Sequence, residues 1–162
     1  MNEANNLLTC EVCNNPVKED DDFCPNCGSL FIDEIFCDNH NKIPADGVCI
    51  ICRIPFCENC GAQINNHFLC MQHSNYEIIE GMARVYEILD NTAIQYVKTC
   101  LEQDGLHPVL FNRNSPYGSS RLSHDLFDLA GNYSANIGTK IMVPCQEVLK
   151  AEEILKSINI TN

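Results

Sequence analysis

Ten cysteines and two histidines in this chain share one spacing. They form six ligand-x-x-ligand pairs: Cys10/Cys13, Cys24/Cys27, Cys37/His40, Cys49/Cys52, Cys57/Cys60 and Cys70/His73. Each pair is a knuckle, a turn short enough to bring two side chains to one ion. Zinc takes four sulfur or nitrogen ligands in a tetrahedron, and a structural site fills all four positions with protein groups. Six knuckles therefore imply three structural zinc ions held by these twelve residues. A single Cys-x-x-Cys would also suit a redox centre, but six within 64 residues do not. Two histidines among the ligands suit zinc better than an iron–sulfur cluster.

The first site reads directly from "CEVCNNPVKEDDDFCPNCGSLF". Cys10, Cys13, Cys24 and Cys27 are spaced x2, x10, x2, and Gly28 follows the last of them. A glycine there permits the positive φ that a knuckle often needs. The other eight ligands allow two arrangements. In sequence, Cys37, His40, Cys49 and Cys52 hold one ion, and Cys57, Cys60, Cys70 and His73 hold the next. Interleaved, Cys37, His40, Cys57 and Cys60 share one ion, and Cys49, Cys52, Cys70 and His73 share the other. "CIICRIPFCENC", residues 49–60, puts four cysteines in twelve residues, and its spacer "RIPF" suits a hairpin joining two different sites. Phe68 and Leu69 precede Cys70/His73 as Phe23, Val48 and Phe56 precede other knuckles, which favours His73 as the last ligand. His67 is the alternative.

This donor pattern opposes catalysis. A catalytic zinc keeps one position open for water, and here every knuckle has a partner. A zinc deaminase also needs His-x-Glu, which occurs nowhere in the chain. The expectation is a protein that is not an enzyme.

The elements that carry the knuckles have few apolar residues, whereas the rest of the chain has ordinary periodicity. The formal charge is −12: residues 1–75 have 3 basic and 11 acidic side chains, and residues 76–162 have 7 and 11. Zinc bound by four thiolates adds a further net −2, and by three thiolates and one imidazole a further −1. Such a surface opposes nucleic-acid binding, which requires basic groups to displace counterions. The start "MNEANNLLTC" reads as no export signal, and no apolar run approaches a membrane span. Paired thiols in that setting point to a reducing cytoplasm.

After residues 74–81, "SNYEIIEG", read as a connector from 76, "MARVYEIL" (82–89) predicts a strand. Residues 93–105 predict a helix with Ala93, Val97, Cys100 and Leu101 on its inner face and Gly105 as its stop. "HPVLFN" (107–112) and "GTKIMVP" (138–144) predict strands. Residues 146–158 predict a second helix with Val148, Ala151, Leu155 and Ile158 inside. The order is β-α-β-loop-β-α. The loop, 113–137, is long for a compact domain and could hold a small ligand. Arg113, Arg121 and His124 suit an anion there, and His124 with Asp125 is a weak catalytic pair. Ser123 could cap a helical turn within it. Cys100 reads as a core thiol, Cys145 as a structural one at a helix start, His107 as structural and "EDDD" (19–22) as a solvated run.

Three resemblances follow from these motifs. Residues 8–31 resemble a short zinc ribbon, with all four ligand positions matched by Cys10, Cys13, Cys24 and Cys27. Residues 34–75, "CDNHNKIPADGVCIICRIPFCENCGAQINNHFLCMQH" at their centre, resemble a B-box-type zinc finger, whose cross-brace implies the interleaved pairing. The resemblance holds at Cys37, His40, Cys49, Cys52, Cys57 and Cys60. Residues 82–160, through "VYEILDNTAIQYVKTCLEQDGLHPVLFN" and "GTKIMVPCQEVLKAEEIL", resemble the prokaryotic signal-transducing domain, a bacterial family of uncertain activity. That resemblance implies a ferredoxin-like or PII-like α+β fold. The function expected from the whole is protein–protein interaction or signalling by zinc-stapled modules ahead of a small α+β domain. A nucleic-acid-binding ribbon and an enzyme with its site in 113–137 are the other readings.

Overall fold

The computed structural model describes residues 8–88, 91–111 and 138–160. The chain divides into two compact units, Met1–Tyr76 and Glu77–Asn162.

In the first unit, most strands are no longer than is needed to flank a knuckle. β1 (Leu8–Thr9) pairs with β2 (Pro16–Val17), β3 (Gly47–Val48) with β4 (Pro55–Phe56), and β5 (Gly61–Ile64) with β6 (His67–Cys70), all antiparallel. Two-residue strand pairs cannot hold themselves together in water. β5 and β6 are joined by Asn65 and Asn66, with φ of 49° and 65°. This is the type I′ turn, which matches the strand twist and which asparagine tolerates better than most residues. The segments 8–31 and 34–75, expected as separate modules, are hydrogen-bonded to each other. Phe68 N–H donates to the Cys27 carbonyl and Val48 N–H to the Gly28 carbonyl, both at 2.8 Å.

The second unit has a conventional core. β7 (Ile78–Ile79), β8 (Met82–Ile88), β9 (Val109–Phe111) and β10 (Thr139–Pro144) form one sheet in the order β7-β8-β10-β9, every neighbour antiparallel. β8 and β9 are therefore parallel to each other with β10 between them, a split β-α-β arrangement. The crossover from β8 to β9 is α1 (Asn91–Gln103). A 3-10 turn, Cys145–Glu147, leads from β10 into α2 (Val148–Ser157). The 76–81 segment is not merely a connector. It supplies β7, turned into β8 by Glu80 and Gly81 with φ of 50° and 76°. These two left-handed residues make another type I′ turn, with Glu-Gly in place of the usual Asn-Gly.

Burial in α1 falls on Ile94, Val97 and Leu101, an i, i+3, i+7 stripe. Ala93 and Cys100 are half-exposed rather than inside. Centring the stripe on Ile94 buries a larger apolar side chain than centring it on Ala93. In α2 the buried residues are Val148, Ala151 and Leu155, with Ile158 half-buried at the C-cap. Gly105, at φ 79°, ends α1, and Leu106 N–H donates to the Leu101 carbonyl at 3.1 Å. Asn159 (φ 57°) and the Ile160-to-Leu155 bond repeat that closure after α2. In the sheet, Ile141 pairs with Tyr86 but Met142 with Arg84, so Val85 is an extra residue in β8. Such a bulge breaks the alternation of faces, and the neighbours Val85 and Tyr86 are both buried. Among the described residues no helix is long and apolar enough to cross a membrane.

The two units should respond differently to loss of metal. Structural zinc in finger peptides is worth about 10–16 kcal/mol per site, and three such sites outweigh the few apolar side chains buried among the described residues of the first unit, Val17, Val48, Ile50, Ile51, Phe56, Phe68 and Leu69. Hydrogen exchange after chelation should show protection lost through residue 76 and kept in β8, β10, α1 and α2. Uniform loss across both units would contradict this division.

Candidate metal centres

Each site is built from knuckles whose backbone is closed by hydrogen bonds. Cys10, Cys24 and Cys49 begin knuckles of one kind. In each, the residue four positions on, Asn14, Gly28 or Arg53, has φ between 58° and 82° and donates its N–H to the first cysteine's carbonyl at 2.8 Å. The first cysteine's own N–H donates five residues on, to Asn15, Ser29 or Ile54, at 2.8–3.0 Å. Only one of these three has glycine at the left-handed position. Asparagine tolerates it and arginine adopts it at some cost, which the closed turn offsets. The other knuckles are single helical turns. His40 N–H donates to Cys37, Cys60 to Cys57 and His73 to Cys70, at 2.9–3.1 Å.

These turns bring the twelve ligands into three clusters: Cys10, Cys13, Cys24 and Cys27; Cys37, His40, Cys57 and Cys60; and Cys49, Cys52, Cys70 and His73. Within each, the ligand atoms all lie within 4.8 Å of one another. The second and third clusters interleave along the chain. His73 supplies the last nitrogen, and His67 does not. β6 alternates its faces, so His67 projects opposite to Phe68 and Cys70.

The spacing of the donors fits zinc. Bonds of about 2.3 Å to sulfur and 2.0–2.1 Å to nitrogen place tetrahedral S···S edges near ~3.8 Å and S···N edges near ~3.6 Å. Cys10 and Cys27 Sγ are 3.8 Å apart, and Cys13 and Cys24 Sγ 3.5 Å. His40 Nδ1 lies 3.7 Å from Cys37 Sγ and 3.4 Å from both Cys57 and Cys60. His73 Nδ1 lies 3.5 Å from Cys49 Sγ and 3.1 Å from Cys70 Sγ. All twelve cysteines are free thiols. The chain thus has three centres positioned to bind three metal ions, and their donors suit structural zinc.

Electrostatics make the same point. Three or four sulfurs at these separations cannot all ionise unaided, because each thiolate repels the next. The hydrogen bond from Cys52 is the main cause holding the Cys49 thiol down at about 4, against burial and with help from the N–H groups of Cys52, Cys70 and Ile51. The same contact with Cys49, followed by burial, pushes Cys52 up. Burial foremost pushes Cys24 up to about 12. A dication at the centre would remove that competition and hold every thiol deprotonated.

The surrounding shell was not marked by spacing. Asn39 Nδ2 donates to Cys60 Sγ at 3.3 Å, and Ser29 Oγ lies 3.2 Å from Cys27 Sγ. Both residues sit inside or beside a knuckle, which places a short polar side chain near the sulfur. Such contacts orient ligands and tune their charge.

The remaining candidates are elsewhere. Cys145 is buried, with its N–H donating to the Gly81 carbonyl at 3.1 Å. His107 pairs with Glu147: its N–H donates to Oε2 at 2.8 Å and its Nδ1 lies 2.7 Å from Oε1. This clasp ties the start of β9 to the turn before α2. The 113–137 loop, with Arg113, Arg121, Ser123, His124 and Asp125, lies outside the described residues.

Compared with protein families, curated proteins and solved structures, the chain matches none. The ribbon, B-box and signal-transducing resemblances therefore rest on their motifs.

Interleaving has a countable consequence. Replacing Cys37 and Cys57 together by serine should cost one zinc per chain at saturating metal, since both serve one centre. Cys37 and Cys49 together should cost two. Elemental analysis giving the opposite counts would require the sequential pairing.

Proposed function

We propose that the chain is a non-catalytic, zinc-stapled docking protein. On this reading a zinc ribbon and a B-box-type cross-brace form a rigid acidic platform for a protein partner. The α+β unit, ferredoxin-like, serves signal transduction. The observation that carries the docking reading is the distribution of apolar surface. Among the described residues, nine large hydrophobic side chains are exposed. Seven of these, Leu8, Val12, Phe31, Ile32, Phe36, Ile43 and Met71, are in the first unit. Residues 31–36 put Phe31, Ile32 and Phe36 at the surface beside Asp33 and Glu34. Exposed aromatics near acidic groups suit a partner with apolar anchors and basic flanks.

Other considerations support the finer assignments. Interleaved ligands are the cross-brace pattern, and the order β7-β8-β10-β9 is compatible with a ferredoxin-like sheet. Each centre has four protein donors, which leaves no position for a reacting water. The acidic balance disfavours nucleic acid. The free thiols suit a reducing cytoplasm.

Substituting Phe31, Ile32 and Phe36 by serine should leave zinc content unchanged, because none is a ligand. Cross-linking in native lysate at ~0.15 M salt, where phosphate-driven binding is strongly reduced, should recover a protein with the wild-type chain and lose it with the triple variant. Equal recovery by both, or tight binding of duplex nucleic acid at that salt, would contradict the docking reading.

A further inference from the structure

The three metal centres meet at one side chain. Phe68 is buried in β6, two residues before the ligand Cys70. Its N–H donates to the carbonyl of Cys27, a ligand of the first centre, at 2.8 Å. Its carbonyl accepts from Ile50, which follows the ligand Cys49, at 3.1 Å. Val48, on the other side of Cys49, donates to the Gly28 carbonyl at 2.8 Å. The first centre is thus bonded through backbone to the third. The third is bonded to the second by Met71 N–H, which donates to the carbonyl of the ligand Cys60 at 3.1 Å.

Three glycines explain why these bonds can form. A Cβ on Gly47 would lie 2.5 Å from Cγ and Cδ2 of the Phe68 ring, and one on Gly61 would lie 2.7 Å from Cε1. A Cβ on Gly28 would lie 2.1 Å from the Val48 carbonyl oxygen and 2.9 Å from Phe68 Cβ. No side chain fits at any of the three without displacing backbone or ring. Gly28 adjoins Cys27, Gly61 adjoins Cys60, and Gly47 precedes Cys49 by two residues. The Phe68 side chain therefore packs against backbone next to a ligand of every centre, its ring beside Gly47 and Gly61 and its Cβ beside Gly28.

We propose that Phe68 and the backbone bonds across Cys27 and Gly28 couple the three centres, so that zinc at the ribbon centre strengthens zinc binding at the two cross-brace centres. The free chain has to order the same Phe68 pocket whichever ion arrives first. The later ions meet it already formed, and linkage makes the effect reciprocal. Phe68 is a positioning residue here and touches no metal.

Native mass spectrometry of the full chain at half-saturating zinc reads the coupling. Linked centres should give chains with no zinc and chains with three, and few with one or two. An independent ribbon would populate chains carrying one ion or two, and that distribution in the wild type would overturn the proposal even where a variant fails to fold. In Cys13→Ser, chelator competition should show the two remaining centres weakened at least about tenfold, within the ordinary range of coupling. Phe68→Leu stays apolar but removes the ring, and should move the zinc distribution toward the graded one. Unchanged affinities in Cys13→Ser, or an unchanged distribution in Phe68→Leu, would also overturn it.

Discussion

The first unit depends on the repulsion among its own ligands. Ten thiols are gathered into three groups whose donor atoms are within 4.8 Å of one another. Without a cation, such groups share protons unequally, as Cys49 and Cys52 do, and the gathering is costly. With zinc, the charge that opposes the fold becomes the charge that holds it. That exchange supplements the few buried apolar side chains, Val48, Ile50, Phe68 and Leu69 among them, that such short strands provide. It also explains the backbone of the knuckles. Positive φ at Asn14 and Arg53 is tolerable because the ligand geometry and the closing hydrogen bonds fix the turn from both ends.

The second unit is held by ordinary means. Ile94, Val97 and Leu101 of α1 and Val148, Ala151 and Leu155 of α2 are buried along with Ala83, Val85, Ile141 and Val143 of the sheet. Truncating a residue such as Leu101 removes a share of that core, and changes of this kind typically cost about 2–5 kcal/mol. Its two helix closures, at Gly105 and Asn159, and its Glu80–Gly81 turn are local features needing no metal. One chain therefore carries two independent answers to the entropy of folding, one ionic and one apolar.

The metal centres were legible because ligand spacing is a property of the chain itself. A knuckle is made by four consecutive residues, and six of them mark twelve ligands. The pairing of Cys37/His40 with Cys57/Cys60 is a long-range fact, and spacing alone left the sequential arrangement open. Strands and helices of the second unit were readable from periodicity, but Ala93 against Ile94 was decided by packing volume. β7 was missed because Glu-Gly is a weak turn marker beside Asn-Gly. Neither the bonds between segments 8–31 and 34–75 nor the place of Phe68 has a mark in the sequence. Phe68 looks like any apolar residue before a knuckle, and only three distant glycines reveal what it does.

X-ray absorption at the zinc edge of the fully loaded chain tests the account most directly. Three centres with ten cysteine and two histidine ligands should average ten sulfurs to two nitrogens over three ions. The sulfur shell should stand at about 2.3 Å and the nitrogen shell at about 2.0–2.1 Å, four-coordinate throughout. A shell with bound water oxygen, or sulfur well short of that ratio, would contradict the claim that closed zinc centres hold this unit together.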